Sequence, residues 1–222
     1  MSDDEQRAFR ERLHSLRVWT DPLPRFDPAA APAEPLPLFQ RWLHEAADAG
    51  VREPHTMTLA TADEAGRPAT RVVMLHDADE HGWHFASHRT SRKGRELAAR
   101  PQAALGFYWP RVGRQIRLTG RVPAAGPEES SADLHPRSPG ALAAALVGRQ
   151  SEVLPAYEEL ARAAAAAGER AHREPDAEVP TWTLYVLDPE EVEFFQGEGQ
   201  RRHVRLRYRT TPEGWARDLL WP

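Results

Sequence analysis

The chain has 222 residues, a formal net charge of −4 and no cysteine. This length suffices for one sizeable domain, and the mild acidity gives no general attraction to nucleic acid or to anionic membranes. The absence of cysteine excludes disulfides, thiolate metal sites and cysteine nucleophiles. There is no apolar run near the roughly 20 residues of a membrane span, and the N-terminus lacks the pattern of a signal peptide. A cytoplasmic protein without nucleic-acid or membrane partners is predicted.

Residues 1–34 become rich in proline and alanine after a short helical start, which predicts a flexible arm. Residues 36–49 carry apolar side chains at helical spacing and are followed by Gly50, which predicts a helix. Five strands follow, and a single short helix at about 92–99 interrupts them. The predicted strands are 55–62, 70–76, 82–88, 102–109 and 114–122.

The second half of the chain is predicted to be helical in pieces over 126–170, with its longest helix over 151–168 and closed by Gly168. Many sequential strands with short loops favour an antiparallel barrel over a parallel α/β sheet. The prediction is a mainly β fold with helices (α+β), in which 35–222 form one domain. Its last strands are predicted at 181–188, 191–196 and 203–209, with 214–222 as the final piece.

Cations on strand ends and loops are the main chemical signal. Metal-ligand spacings on predicted helices are lacking, as are the GxSxG, P-loop and GxGxxG motifs, so no metal site is predicted. Arg71 begins a strand, Arg92 and Lys93 stand at a helix start, and Ser87 and Ser91 add hydroxyls. Such a set is suited to phosphate, because arginine donates a planar fork and a helix start favours anions. The alternative is a basic turn whose charges are simply solvated.

A second group of cations lies in the C-terminal stretch RRHVRLRYR. Its apolar residues alternate with basic ones, so a strand here would bury one face and present cations on the other. Those cations would serve an anionic ligand or nucleic acid, or would keep an edge strand soluble. The residues by themselves leave both readings open.

Eight segments occur in the order RVVMLH, SRKGREL, FYW, GRQIRLTGRV, RQS, VEFFQG, RRHVRLRYR and WARDLLWP. With them the chain resembles the pyridoxine/pyridoxamine 5′-phosphate oxidase family from about Leu36 to Pro222. The resemblance implies a split-barrel homodimer that binds two FMN molecules between its subunits and reduces oxygen to hydrogen peroxide. The stretches SHRTSRKGREL, REPHTMTLAT and PRSPG are similar to the phenazine-biosynthesis branch, which acts on dihydroaromatic acids.

The resemblance implies a binding site for the phosphate of FMN. Arg71 matches the arginine that opens the family's flavin-binding strand, and Ser87 matches a hydroxyl near the phosphate. Arg92 and Lys93 match the pair that grips the phosphate. This would explain two cations at a helix start, where the helix dipole alone disfavours positive charge.

Contacts to the flavin are implied as well. Gln115 matches a glutamine that hydrogen-bonds the ring, and Arg205 matches an arginine near its N1 edge, where positive charge favours the reduced flavin. Gln150 and Ser151 match a pair that reaches the flavin from the partner subunit. Phe195 stands where the family usually has tryptophan, so an aromatic face is kept and an indole donor is lost.

The substrate positions follow the family less closely. Arg201 and His203 keep the R-x-H pair over the flavin, which would orient the substrate, with His203 as a proton acceptor. Arg137 keeps one arginine of the cradle that holds a substrate phosphate. A carboxylate would repel that phosphate and an alanine would donate nothing to it. At the departing cradle positions, His76 replaces a lysine, Asp133 a tyrosine and Ala141 a serine.

These departures favour an FMN-dependent oxidase of secondary metabolism. It would remove a hydride from a carboxylated, partly reduced ring or from an amine, with oxygen as the final acceptor. Two alternatives stay open. One is a housekeeping oxidase that makes pyridoxal 5′-phosphate with an altered cradle. The other is a split-barrel protein that binds flavin or heme without catalysis, which the R-x-H pair and the complete C-terminal segment disfavour.

Overall fold

The computed structural model describes residues 2–222, which contain both helices and strands. The helices are α1 (Asp3–Ser15), α2 (Pro35–Asp48), α3 (Arg92–Ala99), α4 (Pro127–Leu134), α5 (Pro139–Val147) and α6 (Tyr157–Arg173). The strands are β1 (Thr56–Ala62), β2 (Pro68–Met74), β3 (Asp77–Asp79), β4 (Gly82–His88), β5 (Gln102–Trp109), β6 (Arg114–Arg121), β7 (Trp182–Gln196), β8 (Val204–Thr211) and β9 (Gly214–Leu220).

The strands form one antiparallel sheet whose main path is β2-β1-β5-β6-β7-β4-β3. The two ends of this path, β2 and β3, are consecutive in the chain and are separated only by Leu75 and His76. The sheet must therefore curl until its ends meet, which produces a barrel. β8 pairs with β7, and β9 pairs with β8, as an extension of the same sheet. The predicted α+β fold with an antiparallel barrel is confirmed.

β7 is one strand where the sequence predicts two, at 181–188 and 191–196. Its first part pairs with β4, and its second part pairs with β6 and β8. Pro189 lies opposite Gly120, where the register of β6 shifts. A proline is tolerated at such an irregularity because its missing N–H interrupts no regular ladder. The separation into two strands was wrong for that reason.

α2 supplies the aromatic centre of the core. Phe39 meets Trp83 and Phe107 edge-on, with 5.3 and 5.1 Å between ring centroids. Trp42 meets Phe194 in the same way at 5.2 Å. All five side chains are buried, and each such burial contributes on the order of 1.5–3 kcal/mol to stability. The apolar residues that recur at helical spacing in this segment therefore mark the face of α2 that packs on the sheet.

Two other elements differ from the prediction. The longest helix, α6, begins only after Pro155 and continues through Gly168, which was expected to close it. It continues because Ala171, beyond the glycine, is buried against the α4–α5 region. β3 was expected to be part of a turn, and it forms because Ala78 pairs opposite Trp83 on β4.

The expected arm of residues 1–34 consists of two different parts. α1 buries none of its residues. Further along, Phe26 packs edge-on against Trp42 with 5.0 Å between ring centroids, and Tyr208 Oη donates to the Pro32 carbonyl at 2.8 Å. The second part of the arm therefore lies against the domain that begins with α2.

Within residues 2–222, the helices are all too short or too polar to cross a membrane. In the same residues, histidine, aspartate and glutamate side chains do not gather in any group of three that would hold a metal ion.

Close packing at the register shift generates a stability prediction. A Cβ on Gly120 would lie 2.0 Å from the Asp188 carbonyl oxygen. Gly120→Ala should therefore lower the free energy of unfolding by about 1–3 kcal/mol, as overpacking does. Gly106→Ala on β5 is the matched control, because nothing lies within 4 Å of a Cβ there. Urea unfolding measures both variants, and equal midpoints would contradict the steric argument.

Candidate active site

Six of the predicted FMN-binding residues meet around the N-terminus of α3, and we call them the cation cluster. β2, β4 and α3 carry four of them, and the loop between α5 and α6 carries the other two. The members are Arg71, Ser87, Arg92, Lys93, Gln150 and Ser151.

The start of α3 is fixed by its own sequence. Ser91 is the N-cap, and its hydroxyl accepts a hydrogen bond from the Gly94 amide at 3.3 Å. A Cβ on Gly94 would lie 2.4 Å from the Arg89 carbonyl oxygen, so glycine lets the helix start close to the end of β4. This brings Lys93 beside Ser87, with 2.9 Å between Nζ and Oγ.

Lys93 is a buried cation that only neutral oxygens surround. It is the only lysine among the 29 Lys and Arg residues of the chain, and it is 8% exposed. Its ammonium donates to Ser87 Oγ at 2.9 Å and to Gln150 Oε1 at 3.0 Å, and among residues 2–222 it forms no ion pair. Burial, followed by the nearby Arg71, lowers the pKa of Lys93 to about 8, and the negative charge of Glu96 offsets this only in part. A buried charge that forms no ion pair is costly, so the site fits a bound anion.

Glu96 joins the two arginines of the cluster and was missed by sequence reasoning. Its carboxylate accepts from Arg92 Nε at 2.7 Å, from Arg71 Nη2 at 3.1 Å and from Thr61 Oγ1 at 2.5 Å. Burial by itself would raise the pKa of Glu96, but these hydrogen bonds outweigh it and hold the pKa below its ordinary value. The one available signal was the spacing of four residues from Arg92 to Glu96 on a predicted helix.

Gln150 and Ser151 lie in a different place from the one implied by the resemblance. They were expected to reach the flavin of the other subunit. In the structure Gln150 contacts Lys93 of the same chain, and Ser151 Oγ accepts from the Arg92 amide at 3.1 Å. The reason is that the loop after α5 folds back onto the start of α3.

The other predicted FMN-binding residues form a row across β6, β7 and β8, which we call the ring row. Its members are Gln115, Phe195 and Arg205. Gln115 lies opposite Phe195, which lies opposite Arg205. Directly opposed residues of antiparallel strands share one face of the sheet. Arg205 is held by two hydrogen bonds to Glu193, at 2.8 and 3.0 Å, which raise the pKa of the guanidinium.

The R-x-H pair lies in the turn between β7 and β8. Arg201 adopts a left-handed backbone conformation with φ +65°, which is uncommon outside glycine. His203 Nδ1 accepts a hydrogen bond from the Glu198 amide at 3.0 Å. A neutral His203 therefore carries its proton on Nε2, so that it donates from that atom. This geometry disagrees with His203 as a proton acceptor at Nε2.

The N-terminal arm completes this region through Trp19, which sequence reasoning also missed. Its ring lies 5.4 Å from the ring of His203 and 6.3 Å from that of Phe195. Between the arm and the turn lies a cavity of about 980 Å³, which Arg201 and His203 also line. The signal available in the sequence was a tryptophan next to the proline-rich part of the arm.

The cradle residues form a closed network. Asp133 Oδ1 lies 3.0 Å from His76 Nδ1 and accepts from Arg137 Nη2 at 2.8 Å, while Arg137 Nε donates to the Asp133 carbonyl at 2.9 Å. Trp182 Nε1 donates to Asp133 Oδ2 at 3.0 Å. Burial opposes ionisation, but the bonds from His76, Arg137 and Trp182 lower the pKa of Asp133 to about 2. Ala141, in the first turn of α5, adds no donor.

The cation cluster and the ring row lie at opposite ends of β7. Ser87 of the cluster pairs with Thr183, and Gln115 of the ring row pairs with Phe195. Roughly 40 Å of strand separates these two positions at about 3.3 Å per residue. We therefore expect the ring row of one subunit to face the cation cluster of the other.

Two family models match this chain. Residues 43–196 match pyridoxamine 5′-phosphate oxidase, and residues 182–222 match the pyridoxine 5′-phosphate oxidase C-terminal dimerisation region. The pyridoxine/pyridoxamine 5′-phosphate oxidase of Ectopseudomonas mendocina is 42% identical over 196 residues, which are 87% of this chain and 91% of that protein. The enzyme of the same name from Rubrobacter xylanophilus is 41% identical, with 86% and 88% covered.

Two solved structures are also similar to this chain. PhzG from Burkholderia lata, in complex with tetrahydrophenazine-1-carboxylic acid, is 32% identical with a TM-score of 0.83, and the match covers 93% of this chain and all of that one. A pyridoxamine 5′-phosphate oxidase-related, FMN binding protein from Nostoc punctiforme is 19% identical with a TM-score of 0.68; it covers 83% of this chain and 97% of its own, and shares the fold.

Fold and site together define a split-barrel flavoprotein oxidoreductase. The chain belongs to the pyridoxamine 5′-phosphate oxidase family. Membership implies FMN as the cofactor and a homodimer as the assembly. The charge of Lys93, which is buried and forms no ion pair, fits the phosphate of that cofactor.

Lys93 predicts how FMN binding depends on pH. With a pKa of about 8 in the unliganded protein, Lys93 is charged below pH 8 and loses its proton above it. A phosphate dianion prefers the charged form, so the FMN dissociation constant should rise up to about tenfold per pH unit from about pH 8 to 9.5. Titration of flavin fluorescence at constant ionic strength measures this.

Two variants control this experiment. Lys93→Arg keeps its charge over the whole range and should give a flat profile. Lys93→Met should weaken FMN binding by about 1–3 kcal/mol and should also be independent of pH. A wild-type profile as flat as that of Lys93→Arg would contradict the contact between Lys93 and the phosphate.

Proposed function

We propose that the protein is an FMN-dependent oxidase of secondary metabolism, phenazine-type in its chemistry. Its substrate is a dihydroaromatic compound or an amine that carries a carboxylate, with oxygen as acceptor and hydrogen peroxide as product. Bound FMN would supply the acceptor for the substrate hydride and pass the electrons on to oxygen. The observation that carries the proposal is the closed cradle, in which Asp133 already holds Arg137.

The cradle is poorly suited to a phosphate ester. Arg137 donates from Nε to the Asp133 carbonyl oxygen and from Nη2 to the Asp133 carboxylate, so a phosphate bound at Arg137 would lie beside that negative charge. Because the pKa of Asp133 is about 2, that charge is present throughout the physiological range. Each missing hydrogen bond to a charged group costs roughly 1.5–3 kcal/mol, and Ala141 replaces a donor. A substrate without a phosphate avoids these costs.

The cavity beside β7 offers what a planar acid needs. Within residues 2–222, the Arg201 side chain makes no hydrogen bond or ion pair, so its fork can receive a carboxylate. His203 would donate from Nε2 to the same substrate, since its Nδ1 is occupied. Trp19 lines the cavity and provides aromatic surface for a flat ring, with the ring of Phe195 6.3 Å from its own. In this arrangement Arg201 and His203 bind and orient the substrate, and alignment alone can supply much of a rate enhancement.

A second candidate is the oxidase that makes pyridoxal 5′-phosphate. The curated relatives at 40–42% identity carry the name pyridoxine/pyridoxamine 5′-phosphate oxidase, whereas PhzG is 32% identical. Only the second candidate requires the cradle to hold a phosphate. Arg137 is the family's cradle residue that this chain keeps.

Turnover of pyridoxine 5′-phosphate separates the two functions. We expect the protein to be a poor catalyst with this substrate, because the cradle lacks donors and contains a fixed negative charge. The combined change His76→Lys, Asp133→Tyr and Ala141→Ser should raise kcat/KM about a hundredfold or more, at 1.4 kcal/mol per tenfold. Peroxide release measures the rate.

Asp133→Asn is the matched single variant, because it removes the charge and keeps the shape of the side chain. It should give part of the increase. In all variants, reduction of the bound flavin by dithionite and its reoxidation by air check that the cofactor site is intact. A high wild-type rate that none of these changes improves would establish the second candidate instead.

A further inference from the structure

We propose that Glu96 is a positioning residue of the FMN site, which aligns Arg71 and Arg92 for the phosphate and sets the net charge of the cation cluster. The inference rests on the proposed binding of FMN at this cluster. Glu96 itself does not contact the phosphate in this account. It acts through the two arginines that its carboxylate holds.

The first observation is the exposure of the three side chains. The side chain of Glu96 is 5% exposed, that of Arg71 is 19% exposed and that of Arg92 is 58% exposed. The carboxylate therefore lies deepest, and the more exposed Arg92 presents the accessible donors. Since only Nε of Arg92 is bound to Glu96, both of its terminal nitrogens remain for an anion.

The second observation is that both oxygens of the carboxylate are in use. Oε1 receives Arg92, while Oε2 receives Arg71 and Thr61. Thr61 also accepts a hydrogen bond from Arg71 Nη1 at 2.5 Å. Two guanidinium groups on different elements, β2 and α3, are thus held at one point. Preorganised donors bind more tightly because little side-chain freedom is lost when the ligand arrives.

The third observation concerns charge. Without Glu96 the cluster would contain three cations close together, and the burial of Lys93 would make its repulsion by Arg71 costly. With Glu96 two positive charges remain, which equals the charge of a phosphate dianion. Lys93 stays outside the network of Glu96 and keeps its ammonium on neutral oxygens. The net charge of the cluster therefore matches that of one phosphate dianion.

The test compares binding of FMN and riboflavin to the apoprotein, because riboflavin lacks only the phosphate. In Glu96→Gln the net charge of the cluster rises, but one oxygen becomes an amide that cannot accept from a guanidinium. We expect FMN to bind about tenfold more weakly and riboflavin to be unaffected. Stopped-flow fluorescence at low salt should show faster association, from the higher charge, and a larger increase in dissociation.

Glu174→Gln is the matched control, since Glu174 forms an Arg–Glu pair of the same spacing with Arg170 at the exposed C-terminal end of α6, at 2.9 Å. This variant should leave the binding of both FMN and riboflavin unchanged. Thr61→Val is a second variant in case Glu96→Gln does not fold. It removes one partner of the carboxylate without changing its charge, and should weaken FMN selectively by a smaller factor.

Three results would overturn the proposal. Tighter FMN binding in Glu96→Gln would mean that the carboxylate only repels the phosphate. Equal weakening of FMN and riboflavin would mean a general structural role. Unchanged binding of both would mean no role. Failure of the unmodified protein to prefer FMN over riboflavin is a distinct result, because it removes the proposed phosphate site itself.

Discussion

The long strand β7 is the constraint on which the candidate site depends. It pairs with β4 at one end and with β6 and β8 at the other, so a single rigid backbone fixes how far apart the functional residues lie. Trp182, at its start, contacts both the His88 ring and the Asp133 carboxylate. Phe195, near its end, belongs to the ring row. If the proposed FMN contacts hold, one chain would present two half-sites, and their separation along the strand would give dimerisation a chemical purpose.

The cradle and the cation cluster both lie near the start of β7, and they differ in whether their charges are paired within the protein. In the cradle, Asp133 is bound by Arg137 and Trp182, so the charges are satisfied within the protein. In the cation cluster, Lys93 remains buried with only neutral oxygens around it. A satisfied network gains little from a ligand, whereas an uncompensated buried charge gains much. This contrast supports an anion at the cluster and disfavours a phosphate at the cradle.

Sequence patterns predicted most of the elements that carry the site. The five strands predicted before residue 122 and the helices α2 and α3 were placed to within a few residues, because local periodicity and turn residues agree with the tertiary structure there; the short β3 was missed. Prediction was wrong at β7, where Pro189 lies at a register shift, and at α6, which continues through Gly168. In both cases packing with a distant element outweighed a residue that usually ends regular structure.

For the site, the sequence by itself determined which residue types are present: one lysine beside arginine at a helix start, an R-x-H pair, and a carboxylate and an alanine in place of two donors. Only the tertiary structure decided which charges are paired. Glu96 binds Arg71 across a distance of many residues, and Gln150 meets Lys93 within the same chain. The physical reason is that the strength of an ion pair and the burial of its charges depend on distances between elements. The curling of the sheet sets these distances, and the local sequence does not specify them.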